Sequence, residues 1–159
     1  MQYRMKTHSL NQQEISCLLG RTQTASLATI NPDGTPYVTP VHFLYVDGVI
    51  YIHGLPAGQK IDNIKANPAV SFTAYEMRGL LLDQEEKPCD TNTSYQSAIL
   101  QGTAGLVFDI AEKKMALQGI VRKYTPALAD KVLPENMVKG TAVLKITADK
   151  VTGKYYGER

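Results

Sequence analysis

A histidine, a glycine-bearing turn and a lysine follow one another closely in this chain. Tyr51-Ile52-His53-Gly54 leads into Leu55-Pro56-Ala57-Gly58 and then into Gln59-Lys60. A strand that empties into such a turn, with a lysine where a helix begins, can cradle a phosphate. The free N–H groups and positive end of the helix favour an anion, and the ammonium adds a full charge. The same run also suits a plain strand–turn–helix connection with a solvated lysine, and the local pattern leaves both readings open. His53 can donate a hydrogen bond or a proton near neutral pH, or be tied to backbone at a strand end. Gly-x-Ser-x-Gly, His-Glu-x-x-His and Gly-x-Gly-x-x-Gly are absent, so no motif supports a hydrolase, a zincin or a Rossmann nucleotide site. His8, His42 and His53 are not at zinc spacing with carboxylates or cysteines, and no metal site is expected.

The elements that must position these residues are mostly strands. Residues 26–30, 37–46 and 49–53 read as three strands joined by hairpins at Asn31-Pro32-Asp33-Gly34 and Asp47-Gly48. Pro36 and Pro40 cannot donate to a ladder. The second strand should therefore be an edge, carry a bulge, or lie against something other than a strand, such as a cofactor. A short helix over 61–66 turns Ile61 and Ile64 to one face and ends at Asn67-Pro68. A fourth strand covers 70–75, and Leu80 to Leu82 extend it past a break at Arg78-Gly79. Residues 83–93 form a polar surface loop of lid-like length. A fifth strand over 97–108 is kinked at Gly102 and Gly105. The last strand, 141–156, alternates Val143, Lys145 and Thr147 with Leu144 and Ile146.

Two longer helices carry capping signals. Asn11 with Glu14 opens one, which buries Ile15, Leu18 and Leu19 and stops at Gly20. Asp109 with Glu112 opens the other. Its apolar stripe is Ile110, Leu117, Val121 and Tyr124, its wet face is Lys113, Lys114 and Arg122, and Thr125-Pro126 ends it. Residues 127–138 suit a short irregular helix, and residues 1–10 an arm lying on another surface.

The order Leu27-Ala28-Thr29, Asp33-Gly34-x-Pro36-Tyr37-Val38, Pro40-Val41-x-Phe43, Gly48-x-Ile50-Tyr51-x-His53-Gly54, Gly58-x-Lys60 and Asn67-Pro68-x-Val70 resembles the FMN-binding split-barrel superfamily of pyridoxamine 5'-phosphate oxidase. Within it, Tyr-x-His-Gly followed by Gly-x-Lys is most similar to the 5-nitroimidazole-resistance branch. Tyr95-x-Ser97…Gly102 and Thr152-Gly153-Lys154 continue the likeness, which spans most of the chain. The resemblance implies a mainly β fold with peripheral helices: a six-stranded antiparallel split β-barrel of the FMN-binding type. It implies FMN as cofactor, with Lys60, Gln59 and Gly58 at the phosphate and Thr39, Val41 and His42 beside the ring. His53 lies at the cofactor site as the candidate catalytic residue, and Ser97 and Gln101 reach the cofactor from a second subunit. Many members place an arginine or serine just before the lysine; Gly58 and Gln59 stand there instead, which removes one charge from the phosphate site.

The implied activity is an FMN-dependent reduction of a small aromatic or nitro compound by a reduced nicotinamide. The alternative is a non-catalytic flavin- or haem-binding protein on the same fold, in which His42 or His53 ligates iron. A homodimer with sites at the interface is expected for a second reason. Val38, Phe43, Tyr45 and Tyr51 cannot all face inward with Val41, Leu44 and Ile50, so something must cover the other face.

The whole chain is consistent with this. Its 159 residues suit one domain, residues 1–159, with 43% hydrophobic and 20% charged residues. A net charge of +2 without a basic stripe gives no reason to expect nucleic acid. No apolar run approaches the roughly 20 residues that span a bilayer, and residues 1–9 lack the apolar segment of a signal peptide. Cys17 and Cys89 are far apart and read as reduced thiols. A cytoplasmic protein is expected.

Overall fold

The structure, a computed structural model, describes residues 6–157. One antiparallel sheet holds seven strands: β1 (Ala25–Ile30), β2 (Pro36–Val41), β3 (Phe43–Val46), β4 (Val49–Gly54), β5 (Ala69–Leu81), β6 (Asn92–Leu106) and β7 (Ala142–Tyr156). Their order across the sheet is β2-β1-β5-β6-β7-β4-β3. The helices are α1 (Gln12–Arg21), α2 (Gln59–Ala66), α3 (Ile110–Tyr124) and α4 (Glu135–Gly140).

The six-strand expectation is corrected here. Residues 37–46 form two strands, not one. β2 pairs only with β1, and β3 only with β4, so consecutive strands lie at opposite edges of the open sheet. His42 is the single residue between them. The continuous run of β-favouring residues hides this passage, because leaving one edge for the other requires no break in strand chemistry. Both prolines fall on edge strand β2, opposite Ile30 and Ser26, where a missing N–H is tolerated.

Tyr124 holds the passage in place. Its hydroxyl accepts from Phe43 N–H at 2.9 Å and donates to the Gln23 carbonyl at 2.6 Å. Its ring stacks on His42, with centroids 4.4 Å apart and planes inclined by 21°. β5 matches the sequence pattern, whereas β6 starts at Asn92, five residues before the expected Ser97 and inside the expected loop, because its first residues pair with the extension of β5 at Leu80 and Leu81. β5 runs on to Leu81 past a register shift between Met77 and Gly79, and β6 shifts register between Gln101 and Gly102.

The core lies inside the curled sheet, where Leu27, Phe43, Ile50, Ile52, Phe72, Leu100, Leu144 and Ile146 pack with Leu18 and Leu19 of α1 and Ile61 and Ile64 of α2. A second cluster, Tyr51, Val107, Ala116 and Val143, sits on the opposite face beneath α3. This changes the argument for a covering partner. Tyr51 is covered by the chain's own helix and Phe43 is in the main core, leaving Val38 as the exposed member of that set, at 58%.

Local expectations are corrected in α3 too. Its buried residues are Lys113, Ala116 and Ile120, whereas Ile110 is exposed. Lys113, expected in water, donates from Nζ to the Lys139 carbonyl at the end of α4. Asp109 caps the helix through Glu112 N–H, but the carboxylate of Glu112 is taken by Tyr51 and Lys145 and does not close a capping box. At α1 both halves of the box form between Asn11 and Glu14, and the helix runs one residue past Gly20. The arm is described from residue 6 and lies outside the described residues before that. Ser9 bridges Lys154, and Leu10 N–H donates to the Gly153 carbonyl, so the arm lies on the chain's own β7. Residues 83–93 carry a single helical turn at Pro88–Asp90, and Cys17 and Cys89 are exposed and unpaired. No described helix is long and apolar enough to cross a membrane.

Candidate functional site

Beside edge strand β2, the end of β4 and the start of α2 frame two adjoining clefts that share Lys60. One, of about 350 Å³, is lined by Thr24, Pro40, Val41, His42, His53 and Lys60. The other, of about 240 Å³, is lined by Tyr37, Thr39, Leu55, Ala57, Gly58, Gln59 and Lys60. Seven of the nine residues singled out from sequence therefore meet here: Thr39, Val41, His42, His53, Gly58, Gln59 and Lys60.

Each is placed by an identifiable local feature. Gly58 precedes α2 with φ 131° and ψ 166°, a conformation essentially reserved for glycine. Its carbonyl accepts from Ile61 and Asp62 N–H, so the N–H groups at Gln59 and Lys60 open the helix ahead of those bonds. Asn63, wholly buried, anchors α2 to the β1–β2 hairpin by donating to Thr29 Oγ1 at 3.0 Å and to Asn31 Oδ1 at 2.8 Å. Sequence reading overlooked Asn63, though an asparagine between Ile61 and Ile64 on a buried helix face was the available signal. The Gln59 side chain joins the same network, donating to Asn63 Oδ1 at 2.9 Å and Asn31 Oδ1 at 3.3 Å. Its amide is thus engaged in holding the helix, which leaves the backbone of Gln59 to meet a ligand.

His53 is held from behind. Two residues earlier, the Tyr51 hydroxyl donates to Glu112 Oε1 at 2.8 Å, and Lys145 Nζ donates to the same oxygen at 2.8 Å. These bonds tie β4 and β7 to α3. Hydrogen bonds from Lys145 and then Tyr51 hold the Glu112 carboxyl below its usual range. The His53 imidazole is also pulled below its ordinary range, chiefly by burial and further by the charges of His42 and Lys60. It is therefore neutral at neutral pH.

Among the described residues, Thr39 Oγ1 and His53 Nδ1 are the buried side-chain polar atoms without a hydrogen-bond partner. His53 is among the residues lining the first cleft and Thr39 among those lining the second. Leaving a buried polar atom unpaired costs about 1–3 kcal/mol.

Ser97 and Gln101 are not brought to this place within one chain. Ser97 pairs with Lys154 and Gln101 with Lys150 on β7, whereas His53 pairs with Val143 on the same strand. At about 3.3 Å per residue these positions lie roughly 20–35 Å along β7 from His53.

The family model for pyridoxamine 5'-phosphate oxidase matches residues 11–155. The chain belongs to this pyridoxamine 5'-phosphate oxidase-like family. A candidate 5-nitroimidazole antibiotic resistance protein from Bacteroides thetaiotaomicron has a similar structure, with TM-score 0.78 and 28% identity, over 92% of this chain and 85% of that one. A flavocytochrome from Azotobacter vinelandii shares the fold at TM-score 0.85 and 22% identity, over 99% and 73% of the two chains. An FAD- and haem-binding protein from Mycobacterium smegmatis does so at 0.82 and 18%, over 93% and 72%. A search of curated proteins returns no match.

Proposed function

We propose that this chain binds FMN in the paired clefts and acts as an oxidoreductase, reducing a small aromatic or nitro compound at the expense of a reduced nicotinamide. The observation that carries this reading is the pair of unpartnered buried atoms, Thr39 Oγ1 and His53 Nδ1, on residues that line two clefts meeting at Lys60.

The residues present fit the group. A flavin needs an apolar wall, a few polar atoms at its edge, and a cation with N–H donors for its phosphate. Pro40 and Val41 supply the wall. Lys60 and the N–H groups that open α2 suit the phosphate. Thr39 Oγ1 and His53 Nδ1 are free to bond polar edges. When bound, FMN supplies the hydride and electron transfer. The protein binds and orients it, keeps water from the wall formed by Val41, and offers a neutral imidazole whose Nδ1 can hold a proton beside the substrate.

The reading includes a homodimer in which Ser97 and Gln101 of a second copy complete each site. The outward face of β6 supports this. Ile99 and exposed Gln101 alternate with core-facing Ala98 and Leu100, and exposed Tyr75 and Met77 stand on the neighbouring strand, whereas Ser97 is already buried within the chain, at 8%. FMN-loaded protein should oxidise a reduced nicotinamide when given a nitroaromatic acceptor, and His53→Ala should lower turnover more than FMN affinity. No turnover with any nitroaromatic, from a protein that holds FMN, would leave the non-catalytic alternative.

That alternative keeps the clefts for storage or sensing, and includes haem because His53 Nδ1 is unpartnered and His42 lies close enough for its charge to act on His53. A Soret band on haem titration, lost in His53→Ala, would favour it.

A further inference from the structure

A third cleft, of about 410 Å³, lies on the far side of Tyr124 and is not used by the flavin reading. It is lined by Gly20, Arg21, Gln23, Leu44, Tyr45, Gly119, Arg122 and Lys123. Three of these are cations, and no acidic side chain is among the lining residues. Arg21 is already paired with Glu76, at 2.7 Å. Among the described residues Arg122 has no carboxylate partner, and Lys123 has none either.

Lys123 is unusual in its setting. It is half-buried, its Nζ donates to the Leu19 carbonyl at 3.1 Å, and it stands 3.7 Å over the Phe43 ring. A carbonyl and an aromatic face compensate an ammonium only in part. Burial accordingly draws its pKa from 10.5 down to about 8. A lysine kept in so costly a place, when a methionine would fill the space with less penalty, has the character of a binding group.

The cleft is also close to the flavin site. Gln23, Lys123 and Leu44 line this cleft, while their neighbours Thr24 and His42 line the other. The Tyr124 ring stands between the two, 4.4 Å from His42 on one side and 5.5 Å from Lys123 Nζ on the other. The wall is stiff, because Gly119 lets α3 close so tightly on β3 that a β-carbon there would stand 2.4 Å from Leu44 Cδ2.

We propose that this basic cleft binds the phosphate groups of the reduced nucleotide that delivers electrons to the flavin, placing its nicotinamide end toward the neighbouring cleft across Tyr124. The chemistry follows from the lining. Arg122 offers a planar fork suited to phosphate oxygens, and Lys123 offers a point charge that an anion would complete. Leu44 and Tyr45 give an apolar wall for the rest of the ligand. This assignment rests on the oxidoreductase reading, whereas the anion site itself does not.

Calorimetric titration of the flavin-free protein with pyrophosphate and with NADPH tests the site directly, and FMN titration of the same samples separates the two readings. Wild-type protein should bind both phosphate compounds. Arg122→Gln and Lys123→Met should each weaken both about tenfold or more while leaving FMN affinity unchanged. Arg122 is exposed, so its replacement tests the charge even if Lys123→Met perturbs packing. Normal FMN binding with phosphate affinities unaffected by either variant would overturn the proposal. Pyrophosphate binding without NADPH binding would overturn the donor assignment. Failure of FMN to bind would instead count against the flavin reading.

Discussion

The Lys60 ammonium rests against the backbone of Gly54: a β-carbon at that glycine would stand 3.4 Å from Nζ and 3.7 Å from Cε. A β-carbon at those distances makes ordinary contact, so only a bulkier side chain at Gly54 would crowd the lysine. Gly54→Val is expected to displace Lys60 and weaken FMN binding about tenfold, with stability changed by no more than about 1 kcal/mol, since valine suits a strand. Lys60→Ala removes the charge itself and should weaken FMN about tenfold to a hundredfold. The protein should keep its melting temperature when no cofactor is present. Titrations and melting curves of both variants check this.

Gly58 tests the other half of the proposed phosphate cradle. Gly58→Ala forces a β-carbon into a backbone conformation that side chains rarely adopt, at φ 131°. The expected cost is about 1–3 kcal/mol, together with weaker FMN binding as the start of α2 shifts. Denaturant unfolding with and without FMN separates the two effects.

Tyr124→Phe keeps the ring stacked on His42 but leaves Phe43 N–H and the Gln23 carbonyl without the hydroxyl. A loss of about 1–3 kcal/mol is expected. For a domain of this size that corresponds to a fall of roughly 2–10 °C in melting temperature.

His53 gives a pH dependence with a definite sign. Burial first, and then the charges of His42 and Lys60, lower its pKa in the folded chain from the ordinary 6.5. The unfolded chain therefore takes up the proton more readily. The stability that neutral His53 contributes is complete above about pH 6.5 and is lost as the pH falls from there toward the folded value. Denaturant midpoints measured from about pH 7.5 down to about pH 5.5 should fall more steeply in wild-type protein than in His53→Gln. Equal slopes would show that His53 is solvated in the folded chain.

The separation of Ser97 from His53 makes assembly a test of the proposed shared site. If a second copy supplies Ser97 and Gln101, the chain should sediment as a dimer at micromolar concentration, through an interface burying on the order of 2,000 Å². FMN should then raise the melting temperature with a dependence on protein concentration. A folded monomer that binds FMN at full affinity would leave Ser97 and Gln101 outside the site.

Much of this was legible in the sequence because it rests on local chemistry. Asn31 to Gly34 and Asp47-Gly48 mark their hairpins, Asn11 and Glu14 their helix start, and Gly58 before Gln59-Lys60 the turn into the short helix. What escaped depends on partners distant in the chain. Nothing near His42 marks the passage from one sheet edge to the other, because its anchor is Tyr124. Lys113 looks like a surface residue until the Lys139 carbonyl is placed beside it. Tyr51 seemed to call for a partner subunit because the position of α3 over β4 is set by tertiary packing rather than by any local pattern.

The most direct measurement is a flavin titration of the purified protein, followed by the absorbance and fluorescence of FMN. Saturable binding at one FMN per chain, weakened in Lys60→Ala and in Thr39→Val, is the expected result. A protein that leaves the spectrum and fluorescence of FMN unchanged at saturating concentration would contradict the assignment of these clefts to FMN.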